Sequence, residues 1–424
     1  MSKPYITLLG KAVRSIARMR GGGSALPGLF VEKIDPDFIR RTLATLPHGV
    51  VVISGTNGKT TTTKMVVALL ESQGLKVFTN RTGSNFTRGV AAALLGEVDN
   101  RGKLAADIAI LELDEAHAVH FVKTIPPRYS LLLNVMRDQL DRFGEIDTTT
   151  KMLAAIADKT TDTVVLNRED PRVASIATKL SEKSVRYFGL DPKLTTLFPN
   201  DDDMRGSTAK LRQLPQADVV LQTLKDTTAT FLVDGKAVTT TLQLHGIYNV
   251  YNAAAALALT RAILQDSEHD EAKLIDALAA VTPAFGRGET LIVDGQPFEI
   301  VLVKNPSGFR LSLSSFKPAG YHTMIAINDN YADGRDMSWL WDVEFDSLRE
   351  AGVTTVAGIR AYDMALRLQY DEIAVSHVEP NLSAALRYFI ASSSDTPKRL
   401  FCTYTAMLAL RRELAKITDV EHIS

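Results

Sequence analysis

From about residue 48 onward, short apolar runs alternate with longer segments of helical periodicity. An apolar run of roughly four to eight residues between turn residues is typical of a buried strand, and apolar positions three and four apart indicate an amphipathic helix. Strands that alternate with helices in this way predict a mostly parallel sheet with right-handed crossovers. The predicted strands are Val50–Ser54, Val77–Thr79, Ile108–Leu113, Ser130–Asn134 and Thr163–Leu166, and the predicted helices are Thr62–Gln73, Arg88–Leu95, Ala116–Lys123 and Asp147–Ala157.

The pattern changes between residues 186 and 244, where Pro, Asp and Thr become frequent and the apolar runs shorten. This predicts a β-rich segment that is either an antiparallel edge or an insertion. A second alternation starts near residue 290, with predicted strands at Phe298–Val303, Thr323–Ile327, Thr354–Gly358, Glu372–Val375 and Leu400–Tyr404. The pattern therefore predicts an N-terminal helix and linker over 1–47, a central domain over 48–289 that contains segment 186–244, and a smaller α/β domain over 290–424.

The composition fits a soluble protein of several domains, with 424 residues, 45% hydrophobic and 23% charged. The formal net charge of -1 argues against a nucleic-acid protein held by a global positive field. No run approaches the ~18 apolar residues of a transmembrane helix. Basic residues interrupt the apolar positions of segment 5–20, which excludes a signal peptide and leaves two alternatives: packing on the protein itself, or peripheral contact with an anionic membrane.

Cysteine usage limits the redox and metal chemistry. Cys402 is the single cysteine, so the chain has no internal disulfide and no multi-cysteine zinc site, and it fits a reducing compartment. His117 and His120 lie at helical spacing without a further ligand cluster in sequence, which favours packing or substrate contact over a metal site.

The candidate chemistry starts at Ser54-Gly55-Thr56-Asn57-Gly58-Lys59-Thr60-Thr61, between a predicted strand and a predicted helix. A glycine-containing turn at a helix N-terminus presents backbone N–H groups and the positive end of the helix dipole to an anion. Lys59 can reach the β- and γ-phosphates of a nucleotide, and the Thr60 hydroxyl can bind Mg²⁺. The general P-loop would have its first glycine at position 53, whereas this chain has Gly55.

Four further segments follow this loop in order: Glu112 at a strand end, Asn134 to Gly144, Gly246 to Ala254, and Gly286 to Glu289. Their order and spacing resemble the Mur ligase family, whose members activate a carboxylate as an acyl phosphate for attack by an amine. The resemblance implies a Mur-ligase-like central domain and a Rossmann-like C-terminal domain. One departure is Gln139, which stands where the family has histidine.

The resemblance implies roles for individual residues. ATP would be bound by the loop residues, with Asn85 near the γ-phosphate, Asn249 at the adenine and Arg287 at the phosphates. Glu112 would act in catalysis with Lys59 and would bind Mg²⁺ with Thr60. The implied cofactor-binding set is Gly55, Thr56, Asn57, Gly58, Lys59, Thr60, Thr61, Asn85, Asn249 and Arg287.

The C-terminal run from Asn328 to Asp342, together with Lys304-Asn305-Pro306, resembles the MurT-type branch of this family. That branch implies amidation of the D-glutamate α-carboxylate in the lipid II stem peptide, at the inner face of the cytoplasmic membrane. Ammonia would come from a separate GatD-type glutaminase, whose site Asp336 or Asp342 would complete. Many members carry a zinc ribbon, and this chain lacks the cysteines for one. Two alternatives stay open: a stand-alone ligase like folylpolyglutamate synthase, and a non-catalytic ATP-binding scaffold.

Overall fold

A computed structural model of the chain describes residues 4–19, 26–80, 86–137, 146–200, 214–244, 246–283, 287–316, 318–392 and 395–420. The helices are α1 (Pro4–Met19), α2 (Leu26–Ile34), α3 (Phe38–Leu43), α4 (Lys59–Ser72), α5 (Thr87–Glu97), α6 (Glu115–Thr124), α7 (Ile146–Lys159), α8 (Pro171–Ser175), α9 (Ile247–Leu264), α10 (Glu271–Ala279), α11 (Pro306–Ser315), α12 (Ala361–Tyr370), α13 (Leu382–Ala391) and α14 (Tyr404–Leu414). The strands are β1 (Val50–Ser54), β2 (Val77–Thr79), β3 (Ile108–Glu112), β4 (Tyr129–Leu132), β5 (Thr163–Asn167), β6 (Ser184–Leu190), β7 (Val219–Lys225), β8 (Thr228–Val233), β9 (Lys236–Thr241), β10 (Arg287–Val293), β11 (Gln296–Leu302), β12 (His322–Ala326), β13 (Val353–Ala357), β14 (Val375–Glu379) and β15 (Lys398–Cys402).

The first sheet has nine strands in the order β2-β3-β1-β4-β5-β6-β7-β8-β9. Strand β1 lies inside it, parallel to β3 on one side and to β4 on the other. Val51 and Ile53 point into one hydrophobic core and Val50 and Val52 into the other, because side chains of a strand alternate between the faces of its sheet. This double burial explains why β1 is a continuous apolar run, and it confirms the predicted mostly parallel sheet.

The β-rich segment forms an edge of this same sheet. Strand β6 pairs parallel with β5 and with β7, and the meander β7-β8-β9 is antiparallel. Of the two alternatives that the sequence left open, the structure has the antiparallel edge. Alternating exposure along β8 and β9 explains the frequent threonines, which face solvent on one side of the meander.

The second sheet has six strands in the order β10-β11-β15-β12-β13-β14, parallel except for the β10–β11 hairpin. It begins at Arg287, slightly before the predicted boundary at 290. The predicted strand Glu372–Val375 is wrong: the strand is Val375–Glu379. Glu372 has a positive φ of 57°, and the Ile373 N–H bonds to Leu368 O, so these residues close a turn after α12.

The N-terminal helices pack on the first sheet's helical layer. At Gly28 of α2, a Cβ atom would lie 1.9 Å from Arg88 O, so glycine permits α2 to cross α5 in direct backbone contact. Among the described residues, no helix is long and apolar enough to cross a membrane.

Candidate functional site

The predicted phosphate loop connects β1 to α4 at the carboxyl end of the first sheet, in the interior of the strand order. Gly58 lies at the N-cap of α4 with φ of 92°, and Lys59 is the first helical residue. The N–H groups of the first helical turn and the positive end of the helix dipole therefore face this loop, which is the arrangement that binds phosphate.

Asn134, after β4, holds the loop in shape. The Asn57 N–H donates to Asn134 Oδ1 at 2.9 Å, and Asn134 Nδ2 donates to Asn57 O at 2.9 Å. The Thr56 N–H donates to Asn134 O at 3.0 Å. The loop backbone is thus fixed before any nucleotide binds, which lowers the entropic cost of binding.

Lys59 is buried, and its ammonium group lies inside the loop. Nζ donates to Gly55 O and lies 3.2 Å from Oε1 of Glu115, whose side chain is 4% exposed. Sequence reasoning missed Glu115 as the partner, although the acidic sequence Glu112-Leu113-Asp114-Glu115 after β3 was a visible signal.

Glu112 and Thr60 meet as the sequence predicted for a metal-binding pair. Thr60 Oγ1 donates to Glu112 Oε1 at 2.8 Å. Asn80, which the sequence analysis did not single out, fixes the Glu112 backbone on both sides: Nδ2 donates to Glu112 O at 2.8 Å and Oδ1 accepts from Glu112 N at 3.0 Å. A carboxylate and a hydroxyl oxygen side by side are suitable donors for Mg²⁺.

Asp114, between Glu112 and Glu115 in the sequence, provides a further carboxyl group near Lys59. Burial raises its pKa, and the neighbouring charge of Glu115 raises it further. Lys59, Lys304 and His117 act in the opposite direction, so cationic groups from both halves of the chain are grouped around this carboxyl.

A narrow pocket with both polar and apolar walls adjoins the loop on the side of β4 and β5. The Tyr248 hydroxyl is buried there with no hydrogen-bond partner among the described residues, which is the position in which a ligand atom would satisfy it. Burial raises the pKa of Asp170 in the same wall to about 6, against three backbone N–H donors that lower it. The lining residues include Asn134, Asn167, Phe198, Tyr251 and Asn252.

Four sequence predictions around the nucleotide have no direct test. Asn85 and Gln139 lie outside the described residues, and so does the side chain of Arg287. Asn249 lies in the first turn of α9, and the pocket is lined by its neighbours Tyr248 and Asn252. The predicted adenine contact of Asn249 stays a prediction.

The loop after β12 carries four aspartates of the MurT-like run, of which Asp333, Asp336 and Asp342 lie in different environments. Asp333 is buried and accepts hydrogen bonds from the N–H of Asn330 and of Thr405. Asp336 accepts from the Ser338 N–H at 2.9 Å, and bonding to Ser338 lowers its pKa. Asp342 ends the 3₁₀ helix Ser338–Asp342 and is exposed.

Cys402 lies on β15 and is fully buried. Burial raises the pKa of its thiol well above the usual range. Burial therefore disfavours the thiolate that nucleophilic catalysis needs.

The loop geometry makes a stability prediction at Gly58. A Cβ atom there would lie 2.6 Å from Asn252 Oδ1, and φ is in the left-handed region; Gly74 has φ of 86° with nothing within 4 Å. We expect Gly74→Ala to lower the free energy of unfolding by about 1–2 kcal/mol through its backbone alone. Gly58→Ala should lower the free energy of unfolding by more than Gly74→Ala does, because of the added contact with Asn252. It should also weaken nucleotide binding at least tenfold. Urea unfolding and calorimetric titration with ADP measure the two effects, and equal losses in both variants would contradict the role of the Asn252 contact.

Comparison with known proteins places these features in a family. A family model for the Mur ligase middle domain matches residues 53–260, and one for the MurT ligase C-terminal region matches residues 302–407. The chain is 30% identical to a lipid II isoglutaminyl synthase (glutamine-hydrolyzing) subunit MurT from Streptococcus pneumoniae, over 96% of each chain. It is 28% identical to the same subunit from Staphylococcus aureus, over 87% of each chain.

Solved structures share the fold at low identity. The MurF ligase from Thermotoga maritima in complex with ADP superposes with a TM-score of 0.65 at 17% identity, covering 89% of this chain and 83% of that one. The folylpolyglutamate synthase from Mycobacterium tuberculosis, complexed with ADP and AMPPCP, gives 0.61 at 16% identity, covering 92% and 94%. These likenesses confirm the predicted fold class and do not by themselves choose a reaction.

Proposed function

Since this chain belongs to the MurT branch of the Mur ligase family, we propose that it is the ATP-using subunit of a lipid II isoglutaminyl synthase in peptidoglycan biosynthesis. The γ-phosphoryl group of ATP passes to an oxygen of the D-glutamate α-carboxylate, giving ADP and an acyl phosphate. Ammonia then attacks the carbonyl carbon, phosphate leaves with the bonding electrons, and the nitrogen loses a proton. The product is D-isoglutamine, the α-amide of the D-glutamate residue.

The observation that carries the proposal is a contact between the two halves of the chain. Asn305, in the Lys304-Asn305-Pro306 sequence, donates from Nδ2 to Asn57 Oδ1 of the phosphate loop at 3.2 Å. The same Asn305 caps α11 by accepting from the Gly308 N–H. The branch-specific C-terminal sequence therefore touches the ATP-binding loop, which argues for one joint reaction site.

The residues suit phosphoryl transfer, which depends on positioning and charge neutralisation more than on covalent chemistry. Lys59 provides a buried cation, and the α4 N-terminus provides backbone donors. Thr60 and Glu112 would hold Mg²⁺, which when bound neutralises phosphate charge. These intact pairs weigh against the non-catalytic scaffold.

A second subunit must supply ammonia for two reasons. Free ammonia is almost entirely protonated at neutral pH and cannot attack, and Cys402 is buried and so cannot serve as the nucleophile of a glutaminase. We propose a GatD-type glutaminase as that subunit, completed by Asp336. A carboxylate that orients a catalytic histidine must be ionised and held in place. Bonding to Ser338 holds the Asp336 carboxylate in place, whereas Asp342 is exposed and has no hydrogen bond among the described residues.

An exposed aromatic stripe lies beside this aspartate loop. We define the stripe as Tyr362, Leu366 and Tyr370 on α12 together with Trp341, with relative exposures of 69%, 48%, 70% and 50%. The Trp341 and Tyr370 rings meet edge to face, with centroids 5.1 Å apart. Aromatic residues of this kind are enriched at protein interfaces, and continuity with the Asp336 loop selects the glutaminase as the occupant.

This assignment predicts that a charge in the stripe separates the two subunits. Leu366→Glu should lower glutamine-dependent synthesis and the affinity for the glutaminase at least tenfold, because the partner would have to desolvate a carboxylate. Synthesis from ammonium chloride should stay within twofold. Leu214→Glu, at a leucine of 47% exposure outside the stripe, is the matched control. Equal glutaminase affinity in both variants, measured by biolayer interferometry, would contradict the docking site.

The purified chain with ATP, Mg²⁺, lipid II and ammonium chloride at alkaline pH tests the whole proposal. Amidated lipid II is the expected product, detected by mass spectrometry, with glutamine usable only after the glutaminase is added. Glutamine use by the chain alone, or attachment of an amino acid instead of ammonia, would favour the stand-alone ligase. ATP binding without any product would favour the scaffold.

A further inference from the structure

Asp333 is a buried carboxyl group that the proposed reaction does not use. It lies in the loop after β12, three residues before Asp336, and only 2% of its surface is exposed. Burying a carboxylate costs free energy unless hydrogen-bond donors satisfy its oxygens. The donors around Asp333 therefore indicate which parts of the fold this carboxylate holds together.

Asp333 caps helix α14 from outside that helix. Its Oδ1 accepts from the Thr405 N–H at 2.7 Å, in the first turn of the helix. The N-cap residue Thr403 makes no capping hydrogen bond with its own side chain, and its hydroxyl accepts instead from the Asn328 N–H at 2.9 Å. A carboxylate at this place satisfies a helical N–H group and is stabilised by the positive end of the helix dipole.

The Thr405 hydroxyl connects α14 to the same loop by side-chain hydrogen bonds. It donates to Asp333 Oδ2 at 2.5 Å, and it accepts from Asn330 Nδ2 at 2.8 Å and from Asn328 Nδ2 at 3.0 Å. The Asn330 N–H also donates to Asp333 Oδ2, at 3.1 Å. A hydroxyl group can donate once and accept twice. Thr405 thus uses its full capacity to hold the start of the loop at three of its residues.

Asp336 lies on a short segment between this anchor and a second one. The residue after it, Met337, is buried with 9% of its surface exposed. Between the two anchors, Arg335 is exposed and Asp336 is half-buried. Because only three residues separate Asp333 from Met337, the position of the Asp336 carboxylate depends on where the two anchors hold the ends of the segment.

We infer that Thr405 and Asp333 are positioning residues for the glutaminase, and that they hold the Asp336 carboxylate where the catalytic histidine of the glutaminase meets it. The inference rests on the proposed function, since it requires that Asp336 completes the site of the second subunit. The start of α14 then sets the geometry of a catalytic group that works in another protein.

The test compares two substitutions of Thr405 in the assembled complex. Thr405→Val removes the hydroxyl and keeps the size of the side chain. It should lower kcat of glutamine hydrolysis at least tenfold, because a displaced carboxylate no longer orients the histidine. KM for glutamine, the affinity between the subunits and ammonia-dependent synthesis should each stay within twofold. Thr405→Ser keeps the hydroxyl and should stay within twofold of the wild-type kcat.

Asn381→Ala is the control for loss of a helix cap in the same domain. Asn381 caps α13 by accepting from the Ala384 N–H at 3.0 Å, and it has no hydrogen bond to the aspartate loop among the described residues. This variant should retain the wild-type kcat of glutamine hydrolysis. An equal loss in Asn381→Ala and Thr405→Val would mean that hydrolysis follows the stability of the domain, and the inference would be wrong.

A double variant separates positioning of Asp336 from support of the fold. If Thr405 acts through Asp336, adding Thr405→Val to Asp336→Asn should lower kcat no further. Losses that multiply would overturn the inference, and so would an equal fall in ammonia-dependent synthesis. Asn330→Ala removes one exposed amide from the network and serves if Thr405→Val does not fold. It should lower kcat at least threefold, and an unchanged kcat there would also overturn the inference.

The single variant Asp336→Asn distinguishes this inference from the proposed function. If Asp336→Asn abolishes glutamine hydrolysis while Thr405→Val and Asn330→Ala leave kcat unchanged, the positioning role is refuted and the proposed function stands. If Asp336→Asn leaves hydrolysis intact, the assignment of Asp336 in the proposed function is refuted, and the positioning role is refuted with it.

Discussion

Lys59→Met should lower the rate of amidation by on the order of a thousandfold, with ammonia and with glutamine alike. The ammonium group of Lys59 lies inside the phosphate loop, bonded to Gly55 O and beside Glu115. Methionine keeps the length of the side chain and removes its charge. The measurements are kcat and KM for ATP in the ammonia reaction, with Lys64→Met as control, since Lys64 lies on the same helix and bonds outward to Thr282.

A fold defect must be separated from lost catalysis, because the change leaves the buried Glu115 without its ion-pair partner. Breaking a buried pair costs about 3–5 kcal/mol. The double variant Lys59→Met/Glu115→Gln removes the uncompensated charge and should recover most of the melting temperature. Its rate should stay low. A double variant that regains both stability and rate would mean that Lys59 serves the fold alone.

Asp336→Asn should lower glutamine-dependent synthesis a hundredfold or more and leave ammonia-dependent synthesis within twofold. Asparagine cannot stabilise the imidazolium of a partner histidine, and losses of up to about ten thousandfold accompany such a change in a Ser-His-Asp triad. The readout is glutamate release by the assembled complex, beside amidation from ammonium chloride.

Asp342→Asn is the matched control on the same loop and should retain both activities. Complex formation must be measured in each variant, so that a docking defect is not taken for a catalytic one. If Asp342→Asn alone removes glutaminase activity, the assignment between the two aspartates is reversed. If Asp336→Asn removes ammonia-dependent synthesis as well, the residue belongs to the ligase site.

The sheet around the phosphate loop could be predicted because its strands are buried on both faces. Val50–Ser54 is apolar at every position except its last, and such runs are recognisable without any partner. Strand β14 was misplaced because Val375–Glu379 is half-buried and carries His377 and Glu379, so its pattern is weak. Strand β10 was missed for a related reason: only Leu291 and Val293 of its last residues are buried, and the exposed Ile292 between them hides the alternation of a half-buried strand.

For the candidate site, the sequence predicted residues that belong to motifs and missed the contacts that connect separate elements. Glu115, Asn80 and Asn305 reach the loop from separate elements, and no spacing rule connects them to Lys59 or Glu112. The roles of Asn85, Asn249 and Arg287 stay predictions.

The hydrogen bond between Asn57 and Asn305 begins a packed connection across the chain. Asn305 caps α11, and Phe309 of that helix packs against Trp339, with ring centroids 6.4 Å apart. Trp339 lies in the 3₁₀ helix between Asp336 and the stripe residue Trp341. If the phosphates of a bound nucleotide displace Asn57, the displacement also perturbs this series of contacts. Nucleotide binding is then energetically coupled to the surface that the glutaminase covers. Thermodynamic linkage then makes the effect reciprocal: ATP changes the affinity of the subunits by the same factor by which assembly changes the affinity for ATP, so each is an allosteric effector of the other.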